Sequence, residues 1–98
     1  MSTPAFKFSG KVWIYPGPGG WHFVSLPKKV SGQIRKSVLE KRPWGYVKVR
    51  ATIGQTSWQT GLWPQAKEGV YLLVIKAPVR HKEGIHEGDT VRGKIVLV

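Results

Sequence analysis

The chain has 98 residues, 41% of them hydrophobic, with 16 Lys and Arg against 5 Asp and Glu, so its formal charge is +11 at pH 7. It contains no cysteine, which excludes disulfides, thiol catalysis, iron–sulfur clusters and cysteine-bound zinc. Its longest apolar run, Val70–Ile75, is far shorter than the roughly 20 residues of a membrane helix, and its first residues form no apolar signal segment. We therefore expect one domain over residues 1–98, in the cytoplasm and without a membrane partner.

Residues 5–26 predict a β-hairpin. Apolar and polar side chains alternate along residues 6–15, which is typical of a half-buried strand. Two prolines and three glycines follow at 16–20 and require a turn, so residues 21–26 are predicted to be the return strand. The outward face of the first strand is expected to mix lysines with aromatic residues, namely Lys7, Lys11, Trp13 and Tyr15.

One amphipathic helix is predicted, over residues 27–41. Pro27 suits the first helical position, and Val30, Ile34 and Val38 recur at a spacing that places them on one inward stripe. The opposite arc of this helix is basic and consists of Lys28, Lys29, Arg35, Lys36 and Arg42.

The rest of the chain predicts further strands and a short helical turn. Alternation is clear in residues 45–54, whereas residues 70–76 are apolar on both faces and predict the most buried strand. About six strands in fewer than 100 residues are expected to close, fully or nearly, into a small, mainly β barrel, because closure removes exposed strand edges. The predicted elements are strands at 45–54, 56–63, 70–76 and 90–98, a loop at 64–69 and a helical turn at 78–84.

Five segments, in this order and spacing, resemble the family called domain of unknown function 1905: GGWHFVSLP, WGYVKVRATIG, SWQTGLWP, YLLVIKAPVR and GIHEGDTVRGKIVLV. The resemblance covers nearly the whole chain. It implies a small double-split β-barrel, a class that also includes barrels of the AbrB and MazE type. No activity comes with it, and the link to the DNA-binding AbrB barrels is an analogy of fold.

The segment before the last strand collects histidines and carboxylates. His81, His86 and Asp89 could supply three metal ligands, but no spacing such as HExxH is present and the residues fit a turn. We therefore expect no metal, no cofactor and no catalytic site. Arg80, in the same segment, is expected to form an ion pair with Glu83 or Asp89, and anion binding is the alternative.

A sequence pI near 10.4 on one small domain is typical of proteins that bind polyanions, although it also suits an ordinary solvated surface. We predict a non-enzymatic module that binds nucleic acid or another polyanion. Trp13 and Tyr15 are candidates for base stacking, and the competing interpretation is that they cover one side of the barrel. The predicted polyanion-binding residues are Lys28, Lys29, Arg35, Lys36, Arg42, Lys48 and Arg50.

Two alternative functions stay open. One is a small-molecule pocket at a barrel end, lined by Trp21, Trp58, Thr60 and Arg80. The other is a protein-interaction or dimerisation module that uses exposed tryptophans, so the chain could be a monomer or a homodimer. The leading hypothesis depends on whether the cations share one side of the molecule.

Overall fold

Six strands and two helices make up the part of the chain that the structure describes. The computed structural model describes residues 5–38 and 45–98. The strands form a closed antiparallel barrel in the order β1-β2-β5-β4-β3-β6, so the predicted mainly β barrel with one longer helix and one short one is confirmed. In chain order the elements are β1 (Ala5–Ile14), β2 (His22–Ser25), α1 (Lys28–Val38), β3 (Val47–Ile53), β4 (Thr56–Gln65), β5 (Val70–Val74), α2 (Ala77–Glu83) and β6 (Thr90–Leu97).

The alternation of each strand decides which side chains fill the barrel. In β3 the alternate residues Val47, Val49, Ala51 and Ile53 are all buried, and the residues between them are exposed or half-buried. β5 differs because all five of its residues are buried, as its apolar run predicts. Its outer side is flanked by aromatic residues of the neighbouring strands, since Val74 pairs with Phe23 and Leu72 pairs with Trp63.

Helix α1 packs against β1 and β5. The predicted stripe faces inward, with Ile34 and Val38 buried and Val30 partly buried against the core. The pattern did not indicate that Ser31, beside this stripe, is fully buried. Its hydroxyl oxygen accepts a hydrogen bond from the backbone N–H of Tyr71 at 3.0 Å and donates one to the carbonyl of Leu26 at 3.3 Å. This side chain therefore ties α1 to β5 and to the end of β2.

Several element boundaries differ from the prediction. Pro64 was expected in a loop but lies within β4, where it pairs with Tyr71. The pairing of β4 with β3 ends at Leu62, so beyond that residue one side of β4 faces no strand among the described residues, and a missing N–H is tolerated there. The chain leaves β5 at Val74, and Lys76 is already the N-cap of α2. Residues 39–41, the predicted end of the first helix, lie outside the described residues.

Candidate nucleic-acid interface

Cations collect on the outer surface of three neighbouring strands, β1, β6 and β3. The strand register pairs Lys7 with Lys94 and Lys94 with Thr52, so these residues share one outward face. Arg92 and Arg50 lie two residues from Lys94 and Thr52 along their own strands and therefore project on the same side. All of these cations are exposed. We call this surface the basic face, and its cations are Lys7, Lys11, Lys48, Arg50, Arg92 and Lys94.

The basic face has no acidic side chain to neutralise it. β1, β3 and β6 contain no Asp or Glu. Two of its lysines, Lys7 and Lys94, stand directly opposite each other on adjacent strands, an arrangement that costs stability because like charges repel. The cations of these strands therefore have no partner carboxylate within the same strands, whereas the Glu83 carboxylate of α2 lies against Gly54, just beyond the end of β3. Within the described residues, the carboxylates are confined to turns and to α2, as Glu68, Glu83, Glu87 and Asp89.

A shallow groove of about 720 Å³ connects the basic face with the start of α1. Its lining combines cations with the hydroxyl groups of Ser9 and Thr52. Gly93 also lines it, and a Cβ at that position would collide with the carbonyl oxygen of Thr52, so only glycine allows β6 and β3 to approach this closely. Cations and hydroxyls are the groups that proteins use to contact phosphates. The cations in the lining are Lys7, Arg92 and Lys94.

The first turn of α1 borders this groove through Pro27 and Val30. Lys28 and Lys29 follow Pro27 directly and are exposed. The structure thus places these two predicted binding residues in the chain segment that adjoins the basic face, to which Lys48 and Arg50 belong.

The other predicted helix cations that the structure describes do not line this groove. Arg35 is half-buried and lines a separate hollow with Gly32 and Gly69, next to the turn between β4 and β5. Lys36 is exposed near the end of α1. Arg42 lies outside the described residues. The structure therefore groups Lys48 and Arg50 with other strand residues and not with Arg35.

Trp13 and Tyr15, the predicted stacking residues, differ in their surroundings. The Nε1 of Trp13 donates a hydrogen bond to the hydroxyl of Ser25 at 3.0 Å, and its ring lies 5.2 Å from that of Phe23. Tyr15 contacts the same two rings, at 6.4 Å from Trp13 and 6.1 Å from Phe23, but remains 52% exposed. These contacts give Trp13 a packing role, whereas half of Tyr15 stays open to a ligand.

Exposed aromatic rings gather around Val74 on the outer side of β2, β5 and β4. Trp21 is 54% exposed and Trp63 is 51% exposed. Both line a hollow of about 250 Å³ whose lining contains no charged residue. Both also line an adjacent hollow of about 400 Å³ that contains Lys48 and Lys76. We call this surface the aromatic face, and its rings are Tyr15, Trp21, Phe23, Tyr46 and Trp63.

Gly61 makes room for one of these rings. A Cβ at position 61 would overlap the ring of Tyr46, so Tyr46 lies over this part of β4. There it meets Trp63 edge-on, with ring centres 4.7 Å apart. The sequence indicated that Tyr46 points outward, in line with Lys48 and Arg50. It carried no signal that Trp63, from another strand, would lie beside it.

The four residues of the predicted small-molecule pocket lie in different surroundings. Trp58 is partly buried and packs against the core. Thr60 borders the hollow with Lys48 and Lys76. Arg80 borders a different hollow, of about 250 Å³, and Trp21 lines both.

The ion pair predicted for Arg80 is not formed within the described residues. Its Nε donates instead to the carbonyl of Ile75 at 3.2 Å. Glu83 accepts a hydrogen bond of 2.6 Å from the hydroxyl of Thr56. Asp89 accepts one of 2.8 Å from the backbone N–H of His86, as expected for a turn aspartate.

Across residues 5–38 and 45–98, no three His, Cys, Asp or Glu side chains come together as a metal-binding group. Neither helix in that part of the chain is long and apolar enough to cross a membrane.

Comparison with known proteins identifies the family. The model of the family described as Domain of unknown function (DUF1905) matches residues 8–95. The match runs from within β1 to within β6 and so includes nearly all of the barrel. No curated protein matches the chain. The chain belongs to the DUF1905 family, which confirms the resemblance seen in the sequence.

Proposed function

We propose that this protein is a non-enzymatic module that binds nucleic acid through its basic face. The observation that carries the proposal is the row of exposed cations on three adjacent strands that contain no carboxylate. Phosphate contacts supply most of the affinity of proteins for nucleic acids, because each neutralised phosphate releases condensed counterions. A surface built in this way attracts polyanions, nucleic acids among them.

The opposed lysines support this proposal. Lys7 and Lys94 would stabilise the barrel better if one of them were neutral or acidic. Binding surfaces commonly retain such costs, because the residues that serve a ligand are not those that best serve stability. Ser9 and Thr52 line the adjoining groove beside its cations, and hydroxyl groups of this kind contact sugar–phosphate backbones. The Thr52 hydroxyl also pairs with that of Ser57 at 2.8 Å.

We further expect the protein to act in the cytoplasm. A chain without cysteine gains nothing from an oxidising compartment. Nucleic acids are abundant in the cytoplasm, so a basic module located there meets its ligand directly.

The test is a fluorescence-anisotropy titration of a labelled oligonucleotide at several salt concentrations. If about six phosphates are engaged, the affinity of the wild-type protein falls with salt with a log–log slope of about −4 to −5. The variant K7Q/K94Q should bind more weakly, with a slope flatter by about 1.5–2, since two contacts are lost.

A matched control separates a specific surface from general charge. K67Q/K82Q removes two exposed lysines outside the basic face and gives the same net charge as K7Q/K94Q. The control should bind nearly as tightly as the wild type. Absence of binding at low salt, affinity that salt does not change, or equal losses in the two variants would each overturn the proposal.

A further inference from the structure

Two tryptophans on the aromatic face line two neighbouring hollows. One hollow has no charged residue in its lining, and the other has two lysines. Trp21 and Trp63 line the apolar hollow and also the neighbouring one that contains Lys48 and Lys76. A nucleotide has the same two-part chemistry, because its base is flat and its phosphate is an anion. We infer that Trp21 and Trp63 hold the unpaired bases of a single-stranded nucleic acid, while Lys48 and Lys76 hold the adjoining phosphates.

This inference rests on the proposed function and narrows it to one class of ligand. The bases of a duplex are stacked on each other, so rings on a protein surface cannot reach their flat faces unless the duplex opens. The bases of a single strand are free to stack on aromatic side chains, and every base has a face that can do so. We therefore expect single strands to bind more tightly than a duplex of the same sequence, with little sequence preference.

Neighbouring residues contact both rings. The backbone N–H of Tyr15 donates to the carbonyl of Trp21 at 2.8 Å and closes the turn that carries it. The Trp21 ring lies against Gly19, where a Cβ would be 2.8 Å from its Nε1. On the other side of the face, Tyr46 supports Trp63 edge-on. Contacts of this kind limit the rotamers of a ring, and a ring with fewer rotamers loses less conformational entropy when a base stacks on it.

Lys48 links the aromatic face to the basic face. Its side chain lines the charged hollow beside the tryptophans, and Arg50 lies two residues further along the outward side of β3. Thr52 is next on that side and pairs with Lys94 of β6. A strand whose bases stack on the tryptophans can therefore continue with its phosphates along β3 to the basic face.

A second copy of the chain suits this surface less well. Among the described residues that line the two hollows, none is acidic, and Lys48 and Lys76 border one of them. Two copies brought face to face would oppose these cations, and each chain carries a formal charge of +11. A polyanion with flat, weakly polar groups matches both the charge and the rings.

The experiment uses the intact chain and three probes: a labelled single-stranded oligonucleotide, its duplex, and heparin, a polyanion without bases. W21L/W63L should weaken single-strand binding by about tenfold or more, since two stacking rings are lost, and should leave duplex and heparin binding nearly unchanged. W21F/W63F keeps two rings and should recover most of the affinity. W13F changes a packed tryptophan of the neighbouring strands and is the matched control; it should bind like the wild type. Thermal melting of each variant shows whether it is folded.

The outcomes distinguish the two claims. If the wild type binds none of the probes, the proposed function fails and this inference fails with it. If the wild type binds all three and W21L/W63L binds single strands as tightly as the wild type, the stacking site is wrong while the polyanion module stands. If W21L/W63L converts a dimer into a monomer in sedimentation, with single-strand binding retained, the aromatic face is an interface between copies of the chain and the inference is overturned.

Discussion

The basic face and the aromatic face lie on the same barrel, yet their outward side chains differ in chemistry. On β1, β6 and β3, the outward positions carry lysine and arginine, whose charged ends remain in water. Around β5, several outward positions carry apolar or aromatic side chains, among them Phe23 of β2, Val74 of β5 and Trp63 near the end of β4, and β5 is buried on both sides. The inward rows alone fill the barrel, so the outward rows are free to differ. The comparison shows that one side of the barrel exposes mainly cations, whereas another side exposes aromatic rings.

The largest expected effect comes from reversing charges on the basic face. R50E/R92E replaces two exposed cations with carboxylates, which removes phosphate contacts and adds repulsion. We expect affinity for single strands, duplexes and heparin to fall by about 100-fold or more at low salt. The measurement is anisotropy or heparin-column retention, with K67E/K82E as the control of equal charge. Similar losses in both variants would mean that net charge matters and the face does not.

The second prediction concerns G93A, a substitution in the barrel wall next to the groove. In G93A the new Cβ meets the carbonyl oxygen of Thr52, a backbone atom that cannot rotate away. We expect the free energy of unfolding to fall by about 1–3 kcal/mol, because the strands must shift apart. Urea denaturation followed by tryptophan fluorescence measures this loss. Wild-type stability of G93A would show that β6 and β3 adjust without cost.

Substitution of Gly61, the glycine of the aromatic face that also lies under a close contact, should destabilise the protein less than G93A does. In G61A the Cβ meets the ring of Tyr46, which is a side chain and can swing outward. The edge-on contact with Trp63 is then lost, so we expect about 0.5–1.5 kcal/mol of destabilisation. Single-strand affinity should fall more than duplex affinity, in contrast to R50E/R92E. Denaturation and anisotropy on the same preparation check both expectations, and equal losses for the two ligands would contradict the separation of the faces.

The smallest expected effect has the opposite sign. K7Q/K94Q relieves the repulsion between two directly opposed lysines, so the variant should be more stable than the wild type by about 0.2–1 kcal/mol. The gain should shrink as salt is added, because salt screens exposed charges. Denaturation curves at low and high salt test this. A loss of stability at low salt would mean that these side chains stabilise the barrel, which would remove one support of the proposed function.

Much of the fold could be predicted from short-range pattern. Alternation placed Val47 and Val49 inside and Lys48 and Arg50 outside, because side chains of a strand point to opposite faces in turn. The spacing of the apolar residues in α1 indicated its buried stripe. Neither pattern could indicate Ser31, since a serine is polar and its burial depends on the hydrogen bond that it accepts from the backbone N–H of Tyr71, forty residues away.

The sequence by itself indicated, for most positions in the strands and in α1, which side chains face the core and which face water, because the alternation and the helical spacing are local to each element. Only the tertiary structure decided which outward side chains lie together. Lys7 stands beside Lys94, and Trp21 shares two hollows with Trp63, because barrel closure brings strands distant in sequence into register. Such pairings depend on the order and register of the strands, which local periodicity does not encode.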